Sequence, residues 1–291
     1  MVKIQNVFCP IDFFPASHRA LEYSIALARN YEATLHILHV VSPVLPTSYE
    51  FSINTADLVR SFEEQAQKSV EKMGKQARSS GIEVITNVRT GDIDGELKVA
   101  IAESNADIVI MGTHGRRGFE RWFLGSVTER LLRHSPVPVL VLSDSEGPIR
   151  VPPEVEKIVV TTDFSEGTSE AMDYALAIAQ EAPAEVTLLH IVRQPPAHAE
   201  SVESLAQVLE DHLSALVPDE ARDWCQVQAK VEVGTPFERI LDLVDKSRVD
   251  LLVMNIPGKG MVDRAMMGAT AERLIRTATC PVLAVPARMK S

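Results

Sequence analysis

The sequence predicts two α/β domains in tandem, each a parallel sheet covered on both faces by helices. Three observations predict it. Two long blocks repeat without a gap, apolar runs of strand length alternate with helical stretches, and a polar, Pro-rich stretch separates the copies. The first block, ALEYSIALARNYEATLHILHVV (Ala20–Val41), aligns with AMDYALAIAQEAPAEVTLLHIV (Ala171–Val192), and Asp12 falls on Asp163 in the same register. The second, GDIDGELKVAIAESNADIVIMG (Gly91–Gly112), aligns with GTPFERILDLVDKSRVDLLVMN (Gly234–Asn255). That register continues to the end, laying SPVPVLVL (Ser135–Leu142) on ATCPVLAV (Ala278–Val285). The first copy is longer only between Val41 and Gly91. A repeat of this length is a whole domain rather than a solenoid unit. The expected division is a domain over 1–143, a linker over 144–154, where SDSEGPIRVPPE is polar and non-periodic, and a second domain over 155–291.

Each element of the first copy follows from local pattern. Lys3–Ile11 is a short apolar run that stops near Pro10 and Asp12, as a buried strand does. Ser17–Asn30 places Leu21, Ile25, Leu27 and Ala28 at helical spacing. Thr34–Val41 is a second strand. Thr55–Ser80 is a long amphipathic helix ended by Gly81, a residue suited to the left-handed turn after a helix. Glu83–Arg89 is a third strand, Asp94–Ser104 a helix, and Asp107–Met111 a fourth, wholly apolar strand. Ser126–His134 is a helix, with Ser126 and Glu129 spaced as a capping box. Val137–Leu142 is the last strand.

Strands alternating with helices imply right-handed crossovers and a doubly wound sheet. A Rossmann-like order of 3-2-1-4-5 sets strands one and four side by side, so their C-terminal ends flank the switch point where such sheets bind ligands. Asp12 ends strand one and Gly112 ends strand four, and both are expected at that crevice.

Composition narrows the function. The 291 residues carry a net charge of −11, are 45% hydrophobic and only 5% aromatic. A chain this acidic, without a basic run or an aromatic platform, is not expected to bind nucleic acid. No apolar stretch is long enough to span a bilayer, so a soluble cytoplasmic protein is expected. Cys9, Cys225 and Cys280 are far apart and form neither a CxxC nor a Cys/His pair. No disulfide framework or protein-built metal site is therefore expected, and Cys9 and Cys280 are read as core residues.

The chemistry concentrates in GTHGRRGFERWFLGS (Gly112–Ser126). Gly112 is followed after two residues by Gly115, and Gly115 after nine by Gly125 and Ser126. Glycines let backbone N–H groups approach phosphate oxygens, and the helix that follows adds free donors and a positive dipole end. Arg116, Arg117 and Arg121 lie within the loop, within reach of outer phosphates. There is no GK[ST] of a P-loop. His39 and its repeat His190 are expected to be hydrogen-bonded structural residues, and His114 has no visible orienting partner. No nucleophile or base is placed for turnover, so no catalytic residue is assigned.

These motifs resemble the universal stress protein family in its tandem form. VFCPIDFFPASHRALEYSIALA, LHILHVV and ADIVIMGTHGRRGFERWFLGSVTERLLRHSPVPVLVL carry the likeness, the last holding a complete G-x2-G-x9-G-[ST] loop. The resemblance implies pairing of Val137–Leu142 with Pro281–Val285 across a pseudo-dimer. It also implies ATP as ligand. Asp12 would contact the adenosine, the backbone at Val40 or Val41 would read the adenine edge, and Gly112, Gly115, Gly125, Ser126 and Val127 would surround ribose and phosphates. A divalent ion, Mg²⁺ or Mn²⁺, would be held through the phosphates. In the second copy, NIPGKGMVDRAMMGAT (Asn255–Thr270) keeps Gly258 and Gly268 but carries Asn255 and Ala269 where the first has Gly112 and Ser126. With Asp163 these define at most a weak second site. Three functions stand in order: an ATP-binding stress-response regulator, a weak ATPase or adenylyl- or phosphoryl-transfer enzyme, and a nucleotide-free scaffold. A homodimer and an unidentified protein partner are compatible with each.

Overall fold

The computed structural model describes residues 2–42, 55–113, 124–142, 150–152, 154–165, 167–181, 184–195, 199–256 and 267–287. Two compact units make up the chain: residues 4–111, and residues 112–291 together with the first three.

The 4–111 unit runs β1 (Asn6–Pro10), α1 (Pro15–Asn30), β2 (Thr34–Val41), α2 (Thr55–Arg78), β3 (Val84–Thr90), α3 (Ile93–Glu103) and β4 (Ile108–Gly112, whose last residue opens the other unit). Every pairing is parallel: β1 lies between β2 and β4, and β3 lies outside β2. This is the 3-2-1-4 part of the expected order. Val7, Phe8 and Cys9 are buried because β1 is flanked on both sides and covered by helices. β1 starts at Asn6 rather than Lys3, since its first partner is Thr34 at the start of β2. The Asp107 carboxylate accepts the backbone N–H groups of Gln5 (2.7 Å) and Asn6 (2.9 Å), which fixes the register of strand one against strand four. α1 starts at Pro15, two residues before the sequence expectation, because proline's fixed φ and missing N–H suit a first helical position. α2 ends at Arg78, and Gly81 beyond it turns at φ +81°. α3 is capped by Asp92, whose carboxylate accepts the Gly95 N–H at 2.9 Å.

The other unit contains α4 (Ser126–His134), β5 (Val139–Leu142), β6 (Lys157–Thr162), α5 (Thr168–Gln180), β7 (Glu185–Val192), α6 (Ala199–Ala215), α7 (Asp219–Arg222), β8 (Gln226–Val233), α8 (Pro236–Ser247), β9 (Leu251–Ile256), α9 (Ala269–Thr277) and β10 (Val282–Pro286). Its second copy has the complete Rossmann-like order β8-β7-β6-β9-β10, all parallel. β5 pairs antiparallel with β10 through Val141–Val282, Leu140–Leu283 and Val139–Ala284. The last strands of the two copies thus pair, as the resemblance implied. β5 begins at Val139 because Pro138 has no N–H to give to a ladder.

The copies repeat in detail. Asp250 accepts from Glu156 N and Lys157 N, both at 2.9 Å, as Asp107 does in the first copy. Gly91 N and Gly234 N donate to Val41 O and Val192 O, both at 3.0 Å. A Cβ on Gly234 would lie 2.8 Å from the Arg239 side chain, at φ +141°, so glycine is needed there.

All three cysteines are free and buried. Burial pushes the Cys9 and Cys280 thiols up to about 12. The thiolate is the reactive form. Iodoacetamide at pH 8 is therefore expected to label the native chain at least about tenfold more slowly than the urea-unfolded chain, which should take up three labels. Equal rates, read by intact mass, would contradict the burial.

Candidate functional site

The first half of the predicted constellation lies at the C-terminal ends of β1 and β2. Asp12 follows β1, and its carboxylate accepts the Phe14 N–H at 3.0 Å, forming a side-chain turn. Phe13 between them sits at φ +68°. That is costly for a bulky residue, by about 1–2 kcal/mol. The turn is held by its surroundings. His39 donates from Nδ1 to Ile11 O at 2.8 Å, and its ring lies 4.4 Å from that of Phe13. The arrangement recurs: Asp163 accepts from Ser165 N (3.0 Å), Phe164 sits at φ +62°, and His190 donates from Nδ1 to Thr162 O (2.9 Å). Both histidines therefore have the structural role expected of them. Val40 is half-buried and Val41 buried at the end of β2, and Val41 O is the acceptor of Gly91 N.

The second half lies at the end of β4 and the start of α4. Thr113 N donates to Leu142 O (3.0 Å), and Gly125 N to Thr113 O (2.8 Å). Thr128, buried, donates its hydroxyl to Gly112 O at 3.0 Å. The two ends of the glycine loop are thus tied together, although they stand twelve residues apart. Gly115, Arg116, Arg117, Arg121 and His114 lie outside the described residues.

The capping box is not formed. Gly125, not Ser126, is the N-cap of α4, and no side chain caps the helix. Ser126 is the first helical residue and is exposed, with Val127 half-buried behind it. Glu129 turns instead to Arg133, at 2.8 Å. A glycine at the cap removes the side-chain acceptor that usually satisfies first-turn N–H groups. Those donors carry the positive end of the helix dipole. Gly125 adopts φ −58°, ψ 139°, which any residue can adopt, so the backbone does not require glycine.

The second copy has the same capless start. Gly268 is the N-cap of α9 at φ −53°, ψ 139°, and Ala269 stands where Ser126 does. Gly258, Lys259 and Gly260 lie outside the described residues. Asn255, at the end of β9, donates its amide to Ser165 Oγ at 2.6 Å. Partial burial raises the Asp163 carboxyl, but hydrogen bonds from Ser165 and Asn255 outweigh it and hold the group below its usual range. Sequence reading missed three participants: Thr128, Phe13 and Ser165. None of them is marked by its residue type.

A family model described as universal stress protein family matches residues 3–143 and again 154–286. The chain belongs to the universal stress protein family. Universal stress protein MJ0531 of Methanocaldococcus jannaschii is similar to it, 36% identical over 138 residues, which is 45% of this chain and 81% of that protein. A universal stress protein from Archaeoglobus fulgidus has the same fold, with a TM-score of 0.75 at 22% identity, over 97% of this chain and 98% of the other. A putative universal stress protein from Pseudomonas aeruginosa gives a TM-score of 0.66 at 18% identity, over 97% and 93%. The likeness of fold between this universal stress protein and those two runs over nearly the whole of each chain. Among its described residues no group of three or more His, Cys, Asp or Glu is placed to hold a metal, and no helix is long and apolar enough to cross a membrane.

Proposed function

We propose that this universal stress protein binds ATP at the Gly112–Ser126 loop of its first copy and that the bound nucleotide sets the state in which it meets a partner. One observation carries the reading. The loop's ends are tied by Thr128 and Thr113 beneath a helix whose cap, Gly125, has no side chain, although its conformation does not demand glycine. A side-chain-free cap leaves helix N–H donors open to phosphate oxygens. Gly112, Ser126 and Val127 flank that position, and the family pattern adds Gly115, Arg116 and Arg117 from the loop. The same pattern assigns adenosine contacts to Asp12 and to the backbone at Val40 or Val41. A divalent ion, Mg²⁺ or Mn²⁺, would come with the phosphates. The domain bounds that accompany this reading are 1–143 and 155–291, joined by 144–154.

Calorimetric titration of Mg·ATP into the purified chain tests it. One site per chain is expected. No heat, with no nucleotide found in the folded protein by mass spectrometry, would overturn the reading and favour a nucleotide-free scaffold.

A further inference from the structure

The second copy differs from the first where β6 and β9 end side by side. Their ladder runs to the Thr161–Met254 pair, so Asn255 stands one residue beyond it, level with Thr162, the last residue of β6 before the turn. Its amide reaches into that turn and donates to Ser165 Oγ at 2.6 Å. The turn packs against it closely. A Cβ added to Gly167 would lie 3.0 Å from Asn255 Cβ and 3.0 Å from Ala287 Cβ, so no larger residue fits without movement. Asn255 and Ser165 thereby bridge the carboxyl ends of the two central strands, where open α/β sheets take ligands.

None of these partners exists in the first copy. In the same register, Asn255 corresponds to Gly112, Ser165 to Phe14, and Gly167 to Ala16. The second copy has an asparagine and a glycine at these two positions, and the first has a glycine and an alanine. The lost serine of the second loop, Ala269, does not by itself close anything. It sits at the first helical position after a cap whose conformation matches that of Gly125, and a Cβ on Gly268 would meet no atom within 4 Å. The helix start is thus still open, and the obstruction lies at the strand end.

We propose that Asn255 is a latch that closes the nucleotide position of the second copy, its amide and Ser165 occupying the place that a purine nucleoside triphosphate takes in the first. The proposal rests on the nucleotide reading of the loop, and its test separates the two. Equilibrium dialysis with radiolabelled ATP and Mg²⁺ counts nucleotide per chain in the full-length protein, in Asn255→Gly, and in Asn255→Gly/Gly167→Ala. The double variant carries the glycine and alanine that the first copy has at these two positions; its added Cβ no longer meets Asn255 and keeps one contact, 3.0 Å to Ala287 Cβ, which a shift of a few tenths of an ångström relieves, and circular dichroism reports the fold of both variants. The unaltered chain is expected to hold one nucleotide and the folded variants two. The count in the unaltered chain judges the reading of the first copy, and the increment in the variants judges the latch. An increment of one above an unaltered count of zero would sustain the latch and remove the first-copy reading. No increment in any folded variant, or two nucleotides already in the unaltered chain, would overturn the latch.

Discussion

Gly125→Val is expected to leave the chain folded and to weaken ATP binding about a hundredfold. The backbone at Gly125, φ −58° and ψ 139°, lies in the extended region that valine prefers, so no strain follows. Valine is a poor N-cap, and the stability cost is about 1 kcal/mol. Binding suffers far more. The isopropyl group would stand over the first-turn N–H groups of α4 and keep phosphate oxygens from them. Hydrogen bonds to charged groups contribute about 1.5–3 kcal/mol each. Loss of one or two gives about 3 kcal/mol, which is roughly a factor of 100 in Kd. Gly268→Val in the second copy is the matched control. It has the same cap geometry, and its added side chain begins in open space. It is expected to leave ATP affinity unchanged. Calorimetry on both variants, beside thermal melts, reads the difference. Unchanged affinity in folded Gly125→Val would mean that the phosphates do not lie at this helix start.

Leu283→Ala is expected to destabilise the chain by about 3 kcal/mol, within the usual 2–5 kcal/mol for a leucine lost from a core. Leu283 is fully buried on β10. Its ladder neighbours are Val253 on the parallel side and Leu140 on the antiparallel side. The cost has two parts: the transfer of the lost methyls and the cavity that rigid strands on both sides do not close. Leu140→Ala should cost a similar amount, and the pair should be coupled by at least about 0.5 kcal/mol in a double-mutant cycle, as expected for residues in contact. Val208→Ala on the exposed face of α6 serves as reference and should stay within about 0.5 kcal/mol. Urea unfolding provides all four values. A cost below about 1 kcal/mol for Leu283→Ala would show that the seam between the last strands is not part of the core.

Residue pattern along the chain was enough to establish the repeat, the alternation of strands and helices, and the order of the sheet. Strand and helix periods are local properties, and a gapless repeat carries them twice, so the reading of one copy checks the other. It also determined where the glycines of the loop stand and that the second loop lacks two of its members. It misplaced the cap of α4: S-x-x-E spacing suits a capping box, but the helix begins one residue earlier than such a box requires, because Gly125 N is drawn to Thr113 O and the chain enters the helix from there.

Other features follow from how the elements pack. Phe13 and Phe164 take left-handed conformations that no propensity for phenylalanine suggests, because an Asx turn on one side and a histidine ring on the other hold them. Thr128 ties to Gly112 across the loop, and Asn255 to Ser165 across ninety residues, since both depend on which strand ends lie side by side. Residue type and spacing along the chain encode the elements. Which side chains meet is set by the strand order: the sequence puts an asparagine near the end of β9, and the order of the strands brings its amide to Ser165.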